Sequence, residues 1–200
     1  MTYAGASGLL TDSANLLYSG TDLTVYGITI GRGAGAVASN TAVGANSALG
    51  SNTSGANNTA VGSYTLASNT TGADNIGVGS GGTLYTNTTG SANTAVGQNA
   101  LRSNTTGSRN VAFGYQAGFS NTTGTINAIG DGALYFNTTG AGNVALGGGN
   151  NTALYPALYF NSTGSYNTAV GMGSLGQNTT ASNNTAFGYT AGYKNTTGSG

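Results

Sequence analysis

The side chains that carry acid–base, nucleophilic or metal chemistry are almost missing from this chain. It has no histidine and no cysteine, and its four acidic residues are all aspartates: Asp12, Asp22, Asp74 and Asp131. That removes Ser–His and Cys–His pairs, thiolate chemistry and the usual zinc ligand sets. Asp74 follows an Asn-Thr-Thr-Gly turn, whereas Asp131 follows a glycine that ends a strand pattern. The two therefore stand at different corners of the repeat described below, and paired-carboxylate catalysis is not expected. The Gly-Gly-x-Gly-x-Asp nonapeptide of calcium-binding β-rolls is also absent. The expectation is a protein with no catalytic residue, no metal ligand and no cofactor.

Three kinds of residue remain that could meet another molecule. Asn-x-Ser/Thr triplets recur from Asn52 to Asn195 and have the form of glycan acceptors. Asparagine also tolerates left-handed turns, bonds its own backbone and forms ladders when stacked, so the same triplets read equally as turns. Tyrosines recur near those turns, at Tyr64, Tyr85, Tyr115, Tyr135, Tyr155, Tyr159, Tyr189 and Tyr193. They could stack on the sugars of a cell-surface polysaccharide or pack between coils and subunits. A departure from the repeat at 148–156 makes Asn150, Asn151, Tyr155 and Tyr159 candidate contact residues, because loops on rigid scaffolds often carry function.

Composition narrows the classes further. Charged residues make up 4% of the 200 residues and the net charge is zero. A neutral chain without a basic face is a poor partner for nucleic acid. No run of eighteen apolar residues offers a membrane span, and Met1–Ala14 lacks the basic start and apolar stretch of a secretory signal. A chain rich in Gly, Asn, Ser and Thr could be disordered. Here, however, apolar slots recur without a miss over nine units, and a single proline, Pro156, interrupts possible backbone pairing.

Those units organise the chain from about residue 40 onward. One half of each ends in a glycine: Gly44, Gly62, Gly79, Gly97, Gly114, Gly130, Gly147, Gly171 and Gly188. The steps between them are 18, 17, 18, 17, 16, 17, 24 and 17 residues. A fixed period of this length marks a solenoid, whose units each cover the apolar face of the next. The residue before each glycine is apolar: Val43, Val61, Val78, Val96, Phe113, Ile129, Leu146, Val170 and Phe187. The residue before that is always Ala or Gly, and a β-branched residue usually opens the segment. This period-two alternation is a strand signal. The other half of the unit closes on Asn-Thr-Thr-Gly or a near variant. Three residues ahead of it stands a leucine in seven units: Leu49, Leu66, Leu84, Leu101, Leu134, Leu158 and Leu175.

The large apolar slot and the leucine slot are expected to form the core together. The two units without the leucine have Gly118 and Gly192, and these are the two with phenylalanine, Phe113 and Phe187, in the strand. Close-packed interiors demand such volume exchange, which predicts that the two slots face each other inside a coil. Duplication of one unit from the other would leave the same pattern, and Tyr115 and Tyr189 match as well. The Ala/Gly row is then left as a face for another layer to approach. A coil of about 17 residues, with a contour near 56 Å at about 3.3 Å per residue, has room for two short strands and two turns.

Residues 1–39 lack the repeat and read as a β segment leading into it. Asn15–Tyr18 and Leu23–Ile30 are expected to be two strands around a Ser19–Asp22 turn. The following Gly31-Arg32-Gly33-Ala34-Gly35 has the outline of a dinucleotide-binding loop. The expected continuation is another strand rather than a helix, and the next acid is as far on as Asp74. The organisation predicted is therefore a lead-in over 1–39 and a solenoid array over 40–200 carrying an insertion near 148–156. The chain stops at Gly200 just after a turn, and the natural polypeptide is expected to continue.

The units Asn58-Thr-Ala-Val-Gly62, Asn93-Thr-Ala-Val-Gly97 and Asn167-Thr-Ala-Val-Gly171, each with its Asn-Thr-Thr-Gly-type turn, resemble repeats of bacteriophage tail-fibre proteins. The segment Asp22–Gly35 is similar to the lead-in of such arrays. A looser resemblance is to the head repeats of trimeric autotransporter adhesins, where a Val-Ala-Ile-Gly motif builds a left-handed parallel β-roll with a shorter repeat. The resemblance implies an all-β, left-handed, homotrimeric parallel β-solenoid of about nine coils with the roll axis along a fibre. It implies a shaft or adhesin part of a tail fibre, located in the virion or outside the cell. The implied partners are further copies of the chain, other tail proteins and a host-surface polysaccharide. A bacterial extracellular filament or trimeric surface adhesin is the alternative.

Overall fold

A computed structural model describes residues 16–18, 23–25, 28–46, 48–149 and 155–198. Three short strands, β1 (Leu16–Tyr18), β2 (Leu23–Val25) and β3 (Ile28–Gly31), pair antiparallel in sequence order. The expected strand over 23–30 is thus two strands, with Val25 paired to Ile28. The predicted Ser19–Asp22 turn and Met1–Ala14 lie outside the described residues. β3 in turn pairs antiparallel with β4 (Thr41–Gly44) and so covers one edge of everything that follows. Between them, Gly31–Gly35 leads through a single 3-10 turn, Ala34–Ala36, which lies against the first coil through Ala34 N–H to Leu49 O at 3.0 Å. That turn is too short to be a phosphate-binding helix.

From β4 onward the chain is a parallel β-solenoid with one strand per coil. The strands are β5 (Thr59–Val61), β6 (Ile76–Val78), β7 (Thr94–Val96), β8 (Val111–Phe113), β9 (Ile126–Ile129), β10 (Asn143–Leu146), β11 (Thr168–Val170) and β12 (Thr185–Phe187). Each pairs with the next in parallel, Ala or Gly opposite Ala or Gly and large apolar residue opposite large apolar residue. The Thr-Ala-Val periodicity thus sets both the strand and its register.

The other half of the coil holds no second strand. It is a string of turns in which the leucine slot takes left-handed backbone, with φ between 48° and 53° at Leu49, Leu66, Leu84, Leu101, Leu134, Leu158 and Leu175. A non-glycine residue pays about 1–2 kcal/mol for that conformation. Burying a leucine returns about 1.5–3 kcal/mol, so burial prevails. Coil-to-coil hydrogen bonds continue along this arm without strand geometry, as from Leu66 N–H to Thr83 O (3.0 Å) and Leu101 N–H to Ala117 O (3.0 Å).

The interior reverses one expectation. The leucines are buried, and facing them are the small residues of the strands: Ala42, Ala60, Gly77, Ala95, Ala112, Ala128, Ala145, Ala169 and Ala186. The large slot points outward. Val43, Val61, Val96 and Val170 are half-buried, while Val78, Phe113, Ile129, Leu146 and Phe187 are exposed, Phe113 at 44% and Phe187 at 83%. These nine residues are not core. The leucines and the backbone arms that carry them already fill the coil, leaving room on the strand side only for a methyl group or less.

The proposed exchange between Phe113 and Gly118 therefore has no packing basis. What fills the space beside Gly118 is Ile126, whose Cδ1 would lie 2.6 Å from a Cβ placed there. The Ala/Gly row is likewise interior and not a face for another layer.

Candidate functional site

Polar side chains complete the interior as two columns of buried asparagine. One column opens the strands: Asn40, Asn58, Asn75, Asn93, Asn110, Asn143, Asn167 and Asn184. The other opens the Asn-Thr-Thr-Gly turns, from Asn52 through Asn178. In the turn column each amide reaches back to the preceding coil: Asn87 Nδ2 donates to Asn69 Oδ1 and Asn104 Nδ2 to Asn87 Oδ1, both at 2.8 Å. The same nitrogens donate to the carbonyls of Gly90 and Gly107 at 2.9 Å. The strand column converges on those carbonyls: Asn75 Nδ2 reaches Gly90 O and Asn93 Nδ2 reaches Gly107 O, each at 2.9 Å. Its side-chain oxygens accept from backbone of the following coil, as from Asn93 N–H to Asn75 Oδ1 (3.0 Å).

These contacts decide how the Asn-x-Ser/Thr triplets are read. In the Asn-Thr-Thr-Gly-type turns from Asn52 to Asn178 the acceptor amides are buried and already bonded, so in the folded coil no sugar can be attached there, whereas Asn57 and Asn183, which also open Asn-x-Thr triplets, are exposed. The glycine that closes all but one of these turns also has a packing reason. A Cβ on Gly72 would fall on Gly90 O, and one on Gly90 on Gly107 O, so the turns approach this closely where that column is bare; Ala181 is the exception.

At the corner after the leucine slot, side chains stack along the axis with the spacing of the coils. Phe119 and Tyr135 lie parallel at 4.9 Å, Tyr135 and Tyr159 are stacked at 5.3 Å, and Phe136 and Phe160 at 5.6 Å. Arg102 holds the same position one coil earlier. Its guanidinium lies 5.5 Å from the Tyr85 ring centre and 5.8 Å from that of Phe119. The tyrosines thus pack between coils, yet Tyr64, Tyr115, Tyr155 and Tyr189 stay exposed.

Of the insertion candidates, Asn150 and Asn151 lie outside the described residues. Tyr155 stacks on Tyr159 at 5.1 Å and meets Phe160 edge-on at 4.6 Å. The coil closes beneath the excursion through Ala157 N–H to Gly147 O at 2.9 Å. Burial raises the Asp131 carboxyl above its ordinary value. Burial, then Tyr135, Tyr155 and Asp131, raise the Tyr159 phenol.

Among the described residues, no three of His, Cys, Asp and Glu cluster as a metal site, and no helix is long and apolar enough to cross a membrane. Where the aromatic column begins, a cavity of about 390 Å³ opens, lined by Tyr64, Gly81, Tyr85 and Arg102. Sequence reasoning named both tyrosines but not Arg102 or Gly81. The available signal was a lone arginine in the slot that tyrosine and phenylalanine fill in neighbouring units. No family model, curated protein or solved structure matches this chain.

Proposed function

We propose that this chain is a structural fibre protein, a homotrimeric shaft or adhesin segment of a phage tail fibre that serves attachment to a bacterial surface. The observation that carries the reading is the outer face of the parallel sheet. A solenoid with its own leucine–alanine interior still presents Val78, Phe113, Ile129, Leu146 and Phe187 to solvent, one above another. Contiguous apolar stripes of this kind mark surfaces made to be covered, and further copies of the same chain would cover one that runs along the coil axis. The likeness of the Asn-Thr-Ala-Val-Gly units to tail-fibre repeats supports the same role, beside other tail proteins and in the virion or outside the cell. A bacterial extracellular filament or surface adhesin is the second reading.

Light scattering on the purified chain tests the proposal. A mass of about 58 kDa, three times 19.4 kDa, supports the trimer, and Phe113→Lys with Leu146→Lys should then release monomers. A 19.4 kDa species in the unaltered protein overturns it, and an open-ended polymer moves the assignment to the filament.

A further inference from the structure

The cavity at the head of the aromatic column has a floor and walls that the repeat does not build elsewhere in the same way. In the coil of Leu66 the position after the leucine is Ala67, so no ring covers Tyr85 from that side. In the next coil Gly81 and Gly82, both at positive φ, replace side chains that would close the opening. Tyr64, itself at φ 58°, stands edge-on to Tyr85 with ring centres 6.2 Å apart. Arg102 forms the remaining wall. Its guanidinium is fixed by Tyr85 and Phe119, and among the described residues it meets no carboxylate. A planar cation held in place, beside exposed aromatic edges and within about 390 Å³ of space, joins two recognition elements. Arginine takes a carboxylate through two parallel hydrogen bonds, and tyrosine faces take the C–H surface of a sugar ring. The volume lies within the range of about 300–1,000 Å³ typical of small-molecule sites.

We infer that Tyr64, Tyr85, Arg102 and the bare backbone of Gly81 form a binding site for an acidic sugar residue. Its pyranose ring lies against the tyrosines and its carboxylate on the Arg102 guanidinium. The inference rests on the attachment reading only for where such a sugar comes from. The site itself lies at the turn corner, away from the sheet face proposed for assembly.

Titration of the full chain with a uronic-acid oligosaccharide, followed by NMR at the Arg102 side-chain N–H and the Tyr64 and Tyr85 rings, is the test. A neutral glucose oligosaccharide of equal length and inorganic sulfate serve as comparisons. The expected result is saturable binding of the uronate, about tenfold or more tighter than the neutral sugar. Arg102→Gln should weaken uronate binding about tenfold, and Tyr64→Ala about fivefold, with the circular dichroism of both variants unchanged. Equal affinity for acidic and neutral sugars overturns the assignment. So does sulfate binding as strong as uronate and indifferent to Tyr64→Ala, or no saturation by about 10 mM. Native mass measured on the same samples separates failure of this site from failure of the trimer.

Discussion

Gly118 and Ile126 occupy one space. A Cβ on Gly118 would lie 2.6 Å from Ile126 Cδ1 and 3.1 Å from Leu101 Cδ2. Gly118, at φ 61°, sits where seven other coils have a buried leucine, and Ile126 sits where other coils have a buried asparagine. The leucine lost from one arm is thus returned from the start of the next strand. Gly118→Leu alone should overpack the coil and destabilise it by about 1–3 kcal/mol. Ile126→Ala alone should leave a cavity worth about 2–5 kcal/mol. Together they should be coupled favourably by about 1 kcal/mol or more in denaturant unfolding. Strictly additive effects would sink the account.

How far the fold was legible follows from these residues. The glycine spacing and the Thr-Ala-Val alternation located β4–β8 and β10–β12 and their register, because period-two patterning and backbone pairing share one geometry. The same pattern carries no sign for which face is inside. Volume favoured valine and phenylalanine as core, but the interior was already filled by leucines from an arm that reads poorly. Leucine is disfavoured in left-handed backbone, so nothing in local propensity announces Leu84 or Leu101 as turn residues. The asparagines were visible as turn formers. Their role as buried columns needed the coils in register, since the amides bond groups one coil away, 18 and 17 residues off at Asn87 and Asn104 and 24 at Asn161. The cavity was least legible, because it depends on Ala67 and Gly81 lacking side chains.

The turn column predicts an uneven response to asparagine loss. Asn104→Ala leaves Asn87 Oδ1 without a donor and one N–H of Asn121 Nδ2 without an acceptor inside the coil, while Gly107 O keeps the bond from Asn93 Nδ2. Each buried group left unpaired costs about 1–3 kcal/mol, so a total of roughly 3 kcal/mol or more is expected. Asn195 bonds Gly198 in an exposed turn, and Asn195→Ala should stay within about 0.5 kcal/mol. Thermal unfolding of the two variants side by side decides it; equal losses would mean the column contributes only turn propensity.

Ala181 stands where other turns have glycine. Elsewhere a Cβ at this place would meet the next coil, as Gly164 would meet Ala181 O, and in this turn the Cβ is real. Above it the column is broken: Asn195 Nδ2 bonds Gly198 O, and the buried Asn178 Oδ1 has no partner. Ala181→Gly should let Asn195 reach back to Asn178. Satisfying that oxygen gains about 1–3 kcal/mol, and glycine's added chain entropy takes back about 0.5–1. Slower amide exchange over residues 185–198 is the expected readout. Unchanged or faster exchange would show that the methyl is not what separates the coils.

Alkaline titration probes the aromatic corner. The Tyr159 phenol is raised above 10.0, first by burial and then by Tyr135, Tyr155 and Asp131, so the folded state favours the neutral ring. Its contribution to stability is whole below the unfolded value near 10 and is lost as pH rises through the higher folded value. Asp131 has the same sign at the acid end, with a carboxyl raised by burial from 3.8. Its contribution is complete below that value and lost as pH climbs past the raised one. Tyr159→Phe should flatten the fall in unfolding midpoint between about pH 9 and 12, and Asp131→Asn should flatten the slope at low pH and ease the alkaline fall only by the last and smallest share that its charge contributes at Tyr159. Parallel pH curves for the unaltered protein and Tyr159→Phe would mean that the ring ionises as freely in the coil as in the unfolded chain.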